Sequence, residues 1–366
     1  MTLVNSGDVD LFHIDAYDYT LPTDLIASHP LPNRDDSRMM YVDCQAESFA
    51  HKGFKDLVDF MNPEDLLVVN DTKVLPARFL GKRLRPDGSM TEGEVEVLLL
   101  HPTSQAELEW HCLMRPARKL KAGTFIVLEE SSAMFEVIEQ GKEGHGRVRL
   151  HLNEEVNVHE FMYKVGKMPI PPYFNRPANE EDKERYQTVY SEVEGSQAAP
   201  TAGLHFTEDV LNALTQKGIQ KVAVTLSVGV GTFRPVMVDD IRTHDMHGEA
   251  YTLPQATVDA ILACKARGGR VFTVGTTTTK TLETAAQNQG GTLYKGESGW
   301  SNLYIYPGFR FQVVDAMLTN FHLPKSTLLM MISAFANRDF ILKVYQSAVE
   351  ERYRFYSYGD CMLLLR

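Results

Sequence analysis

The chain has 366 residues, 43% hydrophobic and 23% charged, with a formal net charge of −11, which fits a folded protein of up to two domains and excludes large-scale disorder. That acidic balance argues against a general nucleic-acid coat protein, although a local basic surface could still read one shaped RNA. Cys44, Cys112, Cys264 and Cys361 are scattered without a C-x-x-C pair, no stretch reaches the length of a membrane span, and the N-terminus lacks a basic-then-apolar leader, so a soluble, cytoplasmic protein is expected.

In chain order, DLLVVNDTKVLPAR reads as a strand opening into a loop. From about Arg78 to Leu152 the texture turns to short strands: ARFLGKRL, GEVEVLLL, LEWHCLM, TFIVLEE, MFEVIEQ and GRVRLHL, punctuated by Pro86-Asp87-Gly88 and Gly144-His145-Gly146. Such a run predicts a small closed antiparallel barrel, which has no free edges. Its basic groups GKRLR and RPARKLK read mainly as solvated surface, with phosphate contacts as the sharper alternative. After Val156, helices and strands alternate: the helix TEDVLNALTQKG, the strand QKVAVTLSVG, the helix QATVDAILACKARGG, the strand RVFTVG, the helix TTTKTLETAAQ and a strand at NLYIYPG. This is α/β texture, in which ligands sit at strand carboxyl ends. The division expected is 1–77 and 156–366 as an α/β catalytic domain, with 78–155 as an inserted barrel.

Several loops carry chemistry-bearing residues. AAPTAGLHFTEDV (198–210) places His205 just before a helix that Thr207 caps, with Phe206 and Leu211 flanking the cap. VGVGTFRP and GTTTTKTLE each leave a strand through glycine, and the second opens a helix without the spacing of a P-loop. THDMHGEAY holds His244, His247 and Glu249, residue types suited to proton transfer; a zinc site there lacks an i, i+4 histidine pair and a cysteine cluster. LTNFHLPKSTLLMMISAF sets Asn320 and His322 before a hydrophobic helix capped by Ser326.

Together, YDYTLPTDLIASHPLPNRDDSRMM, LLVVNDTKVLPARFLGK, MPIPPYFNRP, RYQTVYSEVEGSQAAPTAGLHF, VGVGTFRPV, MHGEAY, VGTTTTKTLE, YIYPGFRFQVVDAMLTNFHLPKSTLLM and RYRFYSYGDCMLLL resemble the S-adenosylmethionine:tRNA ribosyltransferase-isomerase family of queuosine biosynthesis over nearly the whole chain. The resemblance implies a barrel-like α/β catalytic domain with an inserted β-barrel. It implies transfer and isomerisation of the ribosyl group of S-adenosylmethionine onto 7-aminomethyl-7-deazaguanine at the wobble position of a tRNA with a GUN anticodon (Asp, Asn, His, Tyr). Epoxyqueuosine-tRNA, adenine and methionine would be the products. No metal or further cofactor, no membrane and a monomeric chain are expected.

That chemistry needs proton carriers, a holder for the sulfonium and a pocket for an extruded base. His205 and His247 are the expected proton-transfer residues, with Glu249 orienting one of them or holding the sulfonium. Thr201, Gly203 and the helix from Thr207 would hold a polar end of the donor. Gly231, Thr232, Gly275 and Thr276 would line the donor or base pocket, Asn320 and His322 would close it, and Tyr190 and Phe233 would supply aromatic faces. Three positions depart from the family pattern: Ser227 for histidine, Gly248 for serine and Lys280 for arginine. They leave open a tRNA-binding paralogue without the chemistry, or an enzyme with another acceptor.

Overall fold

The computed structural model of the chain describes residues 9–103, 108–129, 131–152, 157–229, 236–246 and 248–366. One mixed sheet organises the α/β part. Its nine strands lie in the spatial order Glu297–Ser301, Glu249–Leu253, Gln220–Leu226, Leu66–Asn70, Val271–Val274, Ala316–Asn320, Cys361–Leu365, Arg38–Asp43 and Ser48–Gly53. The four from Gln220–Leu226 to Ala316–Asn320 are parallel neighbours, so their carboxyl ends open on one side.

The apolar runs in these strands follow from burial on both faces. Leu66–Asn70, Val271–Val274 and Ala316–Asn320 are buried throughout. Alternation then sorts the side chains. Leu66 and Val68 join a core with helices Gln255–Ala266, Thr276–Asn288, Thr327–Phe335 and Arg338–Glu350. Leu67 and Val69 face the opposite core, beside Phe206, Val210 and Leu214 of the helix Glu208–Gln216 and its cap.

Six antiparallel strands between Arg78 and His151 close into a barrel. Its own core includes Phe79, Val97, Met114, Ile126, Phe135 and Val148. The barrel grows from the loop after Leu66–Asn70. At its root Thr72–Val74 pairs in parallel with Val193–Ser196, and Gln197 Nε2 donates to Leu100 O at 2.6 Å.

Two expectations change. The α/β part is an open sheet among the described residues, not barrel-like, because antiparallel strands finish both flanks and Glu297–Ser301 does not pair with Ser48–Gly53. NLYIYPG is not a strand; the neighbouring strand is Glu297–Ser301. Ile305 is buried and Tyr304 and Tyr306 pack against the same core, so the segment is held by side-chain packing rather than by a strand ladder. No helix among the described residues is long and apolar enough to cross a membrane.

Candidate functional site at the carboxyl ends of the parallel strands

The strand ends are stitched together by Asn70, which is fully buried. Its Nδ2 donates to Leu226 O at 3.1 Å and to Thr277 Oγ1 at 3.4 Å, while its Oδ1 accepts from Leu226 N–H at 3.0 Å and Thr72 N–H at 3.2 Å. One amide thereby fixes two strand ends and the start of the helix Thr276–Asn288. Above this junction lie two adjoining cavities that share Thr276, Thr277 and Leu328.

The larger cavity, about 230 Å³, is lined by Glu249 and Lys280 and by Met237, Met246 and Met331 among others. Lys280 Nζ lies 3.0 Å from Glu249 Oε2, with side-chain exposures of 5% and 9%. Glu249 Oε1 also accepts from Gly229 N–H at 3.2 Å. Lys280 follows Thr276 by one helical turn, so the helix aims it into the same space as the strand residue Glu249. Two opposite charges removed from water together tolerate the loss of neither.

The smaller cavity, about 100 Å³, is bounded by Tyr173, Gly275, Thr276, Asn320, His322 and Tyr356 among others. Gly275 has φ 90° and provides no side-chain cap for the helix that follows. The first-turn N–H groups of that helix therefore lack a side-chain cap at the cavity, an arrangement suited to an electron-rich ligand atom. His322 Nε2 contacts Thr319 Oγ1 at 2.9 Å, and burial pushes its imidazole down to about 3, so it is neutral at physiological pH.

Asn320 is 3% exposed, and its Oδ1 has no hydrogen-bond partner. Its Nδ2 donates to Tyr356 O at 2.9 Å and to His205 Nε2 at 3.3 Å. Tyr356 has φ 72°, a costly left-handed backbone for a bulky residue.

His205 lies behind this wall and lines neither of the two cavities. It borders a separate cleft of about 20 Å³. Its Nδ1 is 2.7 Å from Ser37 Oγ, and its ring packs against Phe54 at 5.4 Å. Because Asn320 donates to Nε2, Nδ1 carries the proton and donates to Ser37, whose hydroxyl donates to Arg34 O. Burial holds the imidazole at about 4.

The remaining expected residues divide. Thr201, Gly275, Thr276, Asn320 and His322 border the smaller cavity, and Glu249 and Thr276 the larger. His247, Gly231, Thr232 and Phe233 lie outside the described residues. Tyr190, Gly203 and Thr207 line neither cavity. Tyr190 is turned inward against Phe206, and a Cβ on Gly203 would fall 2.1 Å from Tyr190 Oη, so that glycine serves a close packing contact. Thr207 accepts from Val210 N–H and donates to Asp35, each at 3.3 Å, so the start of its helix is capped from within. Thr207→Ala is expected to cost about 1 kcal/mol of stability, as lost caps do. Urea denaturation checks this; turnover should stay at the wild-type rate.

Of the three departures, Lys280 completes the buried pair, whereas Ser227 lines neither cavity. A serine at Gly248 would place its Cβ 3.5 Å from Trp300, an ordinary contact, so the fold does not demand glycine there. Sequence reasoning missed Asn70, Ser37, Lys280 as a site residue, and Trp300. Trp300 is 69% exposed beside Gly248, which lines the larger cavity. Among the described residues no group of three or more His, Cys, Asp or Glu side chains is placed to hold a metal.

The chain matches the queuosine biosynthesis protein family over residues 14–364. It is 47% identical over 352 residues to the S-adenosylmethionine:tRNA ribosyltransferase-isomerase of Trichlorobacter lovleyi, covering 96% of this chain and 99% of the relative. The enzyme of the same name from Pelotomaculum thermopropionicum is 46% identical, at 96% and 100% coverage. Among solved structures, S-adenosylmethionine tRNA ribosyltransferase of Thermotoga maritima is similar with a TM-score of 0.53 and 34% identity, over 96% of this chain and 100% of that one. Matched along nearly its entire length by family and relatives alike, the chain belongs to the queuosine biosynthesis protein family.

Proposed function

We propose that this chain transfers and isomerises the ribosyl group of S-adenosylmethionine onto tRNA, as its relatives' names describe. The acceptor is 7-aminomethyl-7-deazaguanine at the wobble position of a GUN anticodon, and the products are epoxyqueuosine-tRNA, adenine and methionine. S-adenosylmethionine is consumed as the donor and no other cofactor takes part. Residues 1–77 and 156–366 carry the chemistry, and the barrel of 78–155 is inserted between them.

The observation that carries this reading is the pair of unlike cavities meeting at Thr276 and Thr277. The donor also has unlike ends. Its methionine end carries an ammonium, a carboxylate and a nearby sulfonium; its adenine end is uncharged. The larger cavity offers Lys280 to the carboxylate, Glu249 to the positive groups, and polarizable methionine walls to the thioether carbon chain. The ribose then spans the shared threonines, where the carbon next to sulfur is acidified by the sulfonium. His247, two residues before Glu249 in sequence, is the proton carrier we assign, while His205 acts only through Asn320. The carbon next to sulfur gives up a proton. The glycosidic carbon–nitrogen bond breaks with its electron pair going to the purine, which takes up one proton and leaves as adenine. The carbon–sulfur bond breaks with its pair going to sulfur, releasing neutral methionine. The acceptor amine gives up one proton as its nitrogen–carbon bond forms, so that one proton is released overall.

Mixing the chain with S-adenosylmethionine and tRNA bearing the aminomethyl base should release adenine and add the ribosyl mass to the wobble nucleoside. Binding of that tRNA without adenine release would overturn the reading. Trp300 gives an independent optical check, because the other tryptophan, Trp110, is only 3% exposed. Bases stack on exposed aromatic rings, so tRNA addition should quench tryptophan emission in the wild type and leave it unchanged in Trp300→Phe.

A further inference from the structure

We propose that the smaller cavity is a base pocket, taking a neutral purine-type ring whose exocyclic amine donates to Asn320 Oδ1. The identity of the ring's source rests on the ribosyl-transfer reading; the pocket chemistry does not. The starting point is the unpartnered oxygen of a side chain that is 97% removed from solvent by its 3% exposure. A buried acceptor gains most from a donor placed against it, and Asn320 Oδ1 has no protein donor.

The amide cannot escape this by turning over. Its Nδ2 is committed to Tyr356 O and to His205 Nε2. His205 is in turn fixed as an acceptor at Nε2, because Nδ1 faces Ser37 and burial keeps the ring uncharged. Reversing the amide would set Oδ1 against a carbonyl and a lone pair. Asn320 therefore presents an acceptor and nothing else, and His205 is a positioning residue for it.

The surroundings select what can donate. Among the described residues, those around the smaller cavity include no Asp, Glu, Lys or Arg, and burying an ammonium without a paired carboxylate is costly. A neutral amine is the fitting donor. The uncapped first turn of helix Thr276–Asn288 supplies N–H groups for a ring nitrogen or carbonyl acceptor. Tyr173 and Tyr356, with ring centroids 4.1 Å apart, contribute to an aromatic wall. A buried amide acceptor, helix N–H donors, no charged side chain among the described lining residues and an aromatic wall describe an aminated heterocycle. The larger cavity, with Lys280 and Glu249, describes the opposite ligand end.

Equilibrium binding to the full-length chain, by calorimetry or by competition with S-adenosylmethionine, tests this with two ligand pairs. Adenine against purine differs by the 6-amino group; 7-deazaguanine against 7-deazahypoxanthine differs by the 2-amino group. In the wild type, one pair should show roughly tenfold tighter binding of the aminated member, about one hydrogen bond. Asn320→Ala should collapse that ratio to about one, whereas mere loss of folding would weaken both members alike. His205→Phe should lower the ratio, and His205→Gln, whose amide oxygen can accept from Asn320, should restore it. Collapse in the adenine pair identifies the donor's base as occupant, and collapse in the deazaguanine pair identifies the acceptor's base. Equal binding within both pairs in the wild type, or a ratio unchanged in Asn320→Ala, overturns the proposal. If the ratio behaves as stated while no adenine is released in the turnover assay, the pocket stands and the proposed reaction falls.

Discussion

Lys280→Met is expected to lower the unfolding free energy by about 3–5 kcal/mol, the usual result of stripping one partner from a buried pair. The substitution takes from the buried Glu249 carboxylate the ammonium that lies 3.0 Å from its Oε2. Replacing both partners, as in Glu249→Gln/Lys280→Met, should recover most of that loss, because no uncompensated charge remains. Lys280→Arg should stay close to the wild type in stability, with its planar fork able to grip Glu249 through two N–H groups. Urea midpoints for the three variants decide the matter. A single variant as stable as the double one would mean that the pair contributes nothing beyond its packing. The double variant should nonetheless raise the KM for S-adenosylmethionine more than tenfold, since it removes both charges that the proposed function sets against the methionine end.

Acidification supplies the second large effect. His205 is held at about 4 inside the protein against an ordinary 6.5, so the folded state prefers its neutral form. The corresponding stability, about 3 kcal/mol, is fully present above the ordinary value and is lost as pH falls from 6.5 towards 4. His205→Gln cannot take up that proton, so its unfolding free energy should fall less steeply than the wild type's across this window. His322, pushed to about 3, adds loss of the same sign but is common to both proteins, so the difference in slope isolates His205. Denaturant titrations at several pH values between 7 and 4 measure it. Parallel pH profiles would show that the Ser37–His205–Asn320 chain opens to water without resistance.

What the sequence reveals about this molecule follows the reach of each interaction. The Thr207 and Ser326 caps are legible because each bonds a backbone N–H three residues on. The helix Gln255–Ala266 ends ahead of Gly268, at φ 77°, a signal equally local. His205 stands in the most distinctive segment of the chain, yet its use depends on Ser37 and Asn320, which are 168 and 115 residues away. Lys280 reads as a family departure until Glu249, 31 residues distant, is seen beside it. Likewise, no local pattern tells that Thr207 begins a helix on the far side of the sheet from the cavities, while Thr276 begins one at their shared wall. Candidate residues were thus legible as residue types in loops, and their sorting into cavity, support and packing waited on tertiary contacts.

The strand Cys361–Leu365 has a consequence for how the protein comes into being. Last in chain order among the described strands, it sits between Ala316–Asn320 and Arg38–Asp43. The early hairpin Arg38–Gly53 therefore has no seat in the sheet until residue 365 is available. On the ribosome the barrel, whose strand pairings all fall within Arg78–His151, can close long before the sheet does. Sheet completion must wait until Cys361–Leu365 has emerged, because non-local pairings form only after both partner segments are available. Nascent chains halted short of that strand would present a finished barrel beside an unclosed α/β body, with Met39 and Met40 still lacking their cross-strand neighbours Cys361 and Met362.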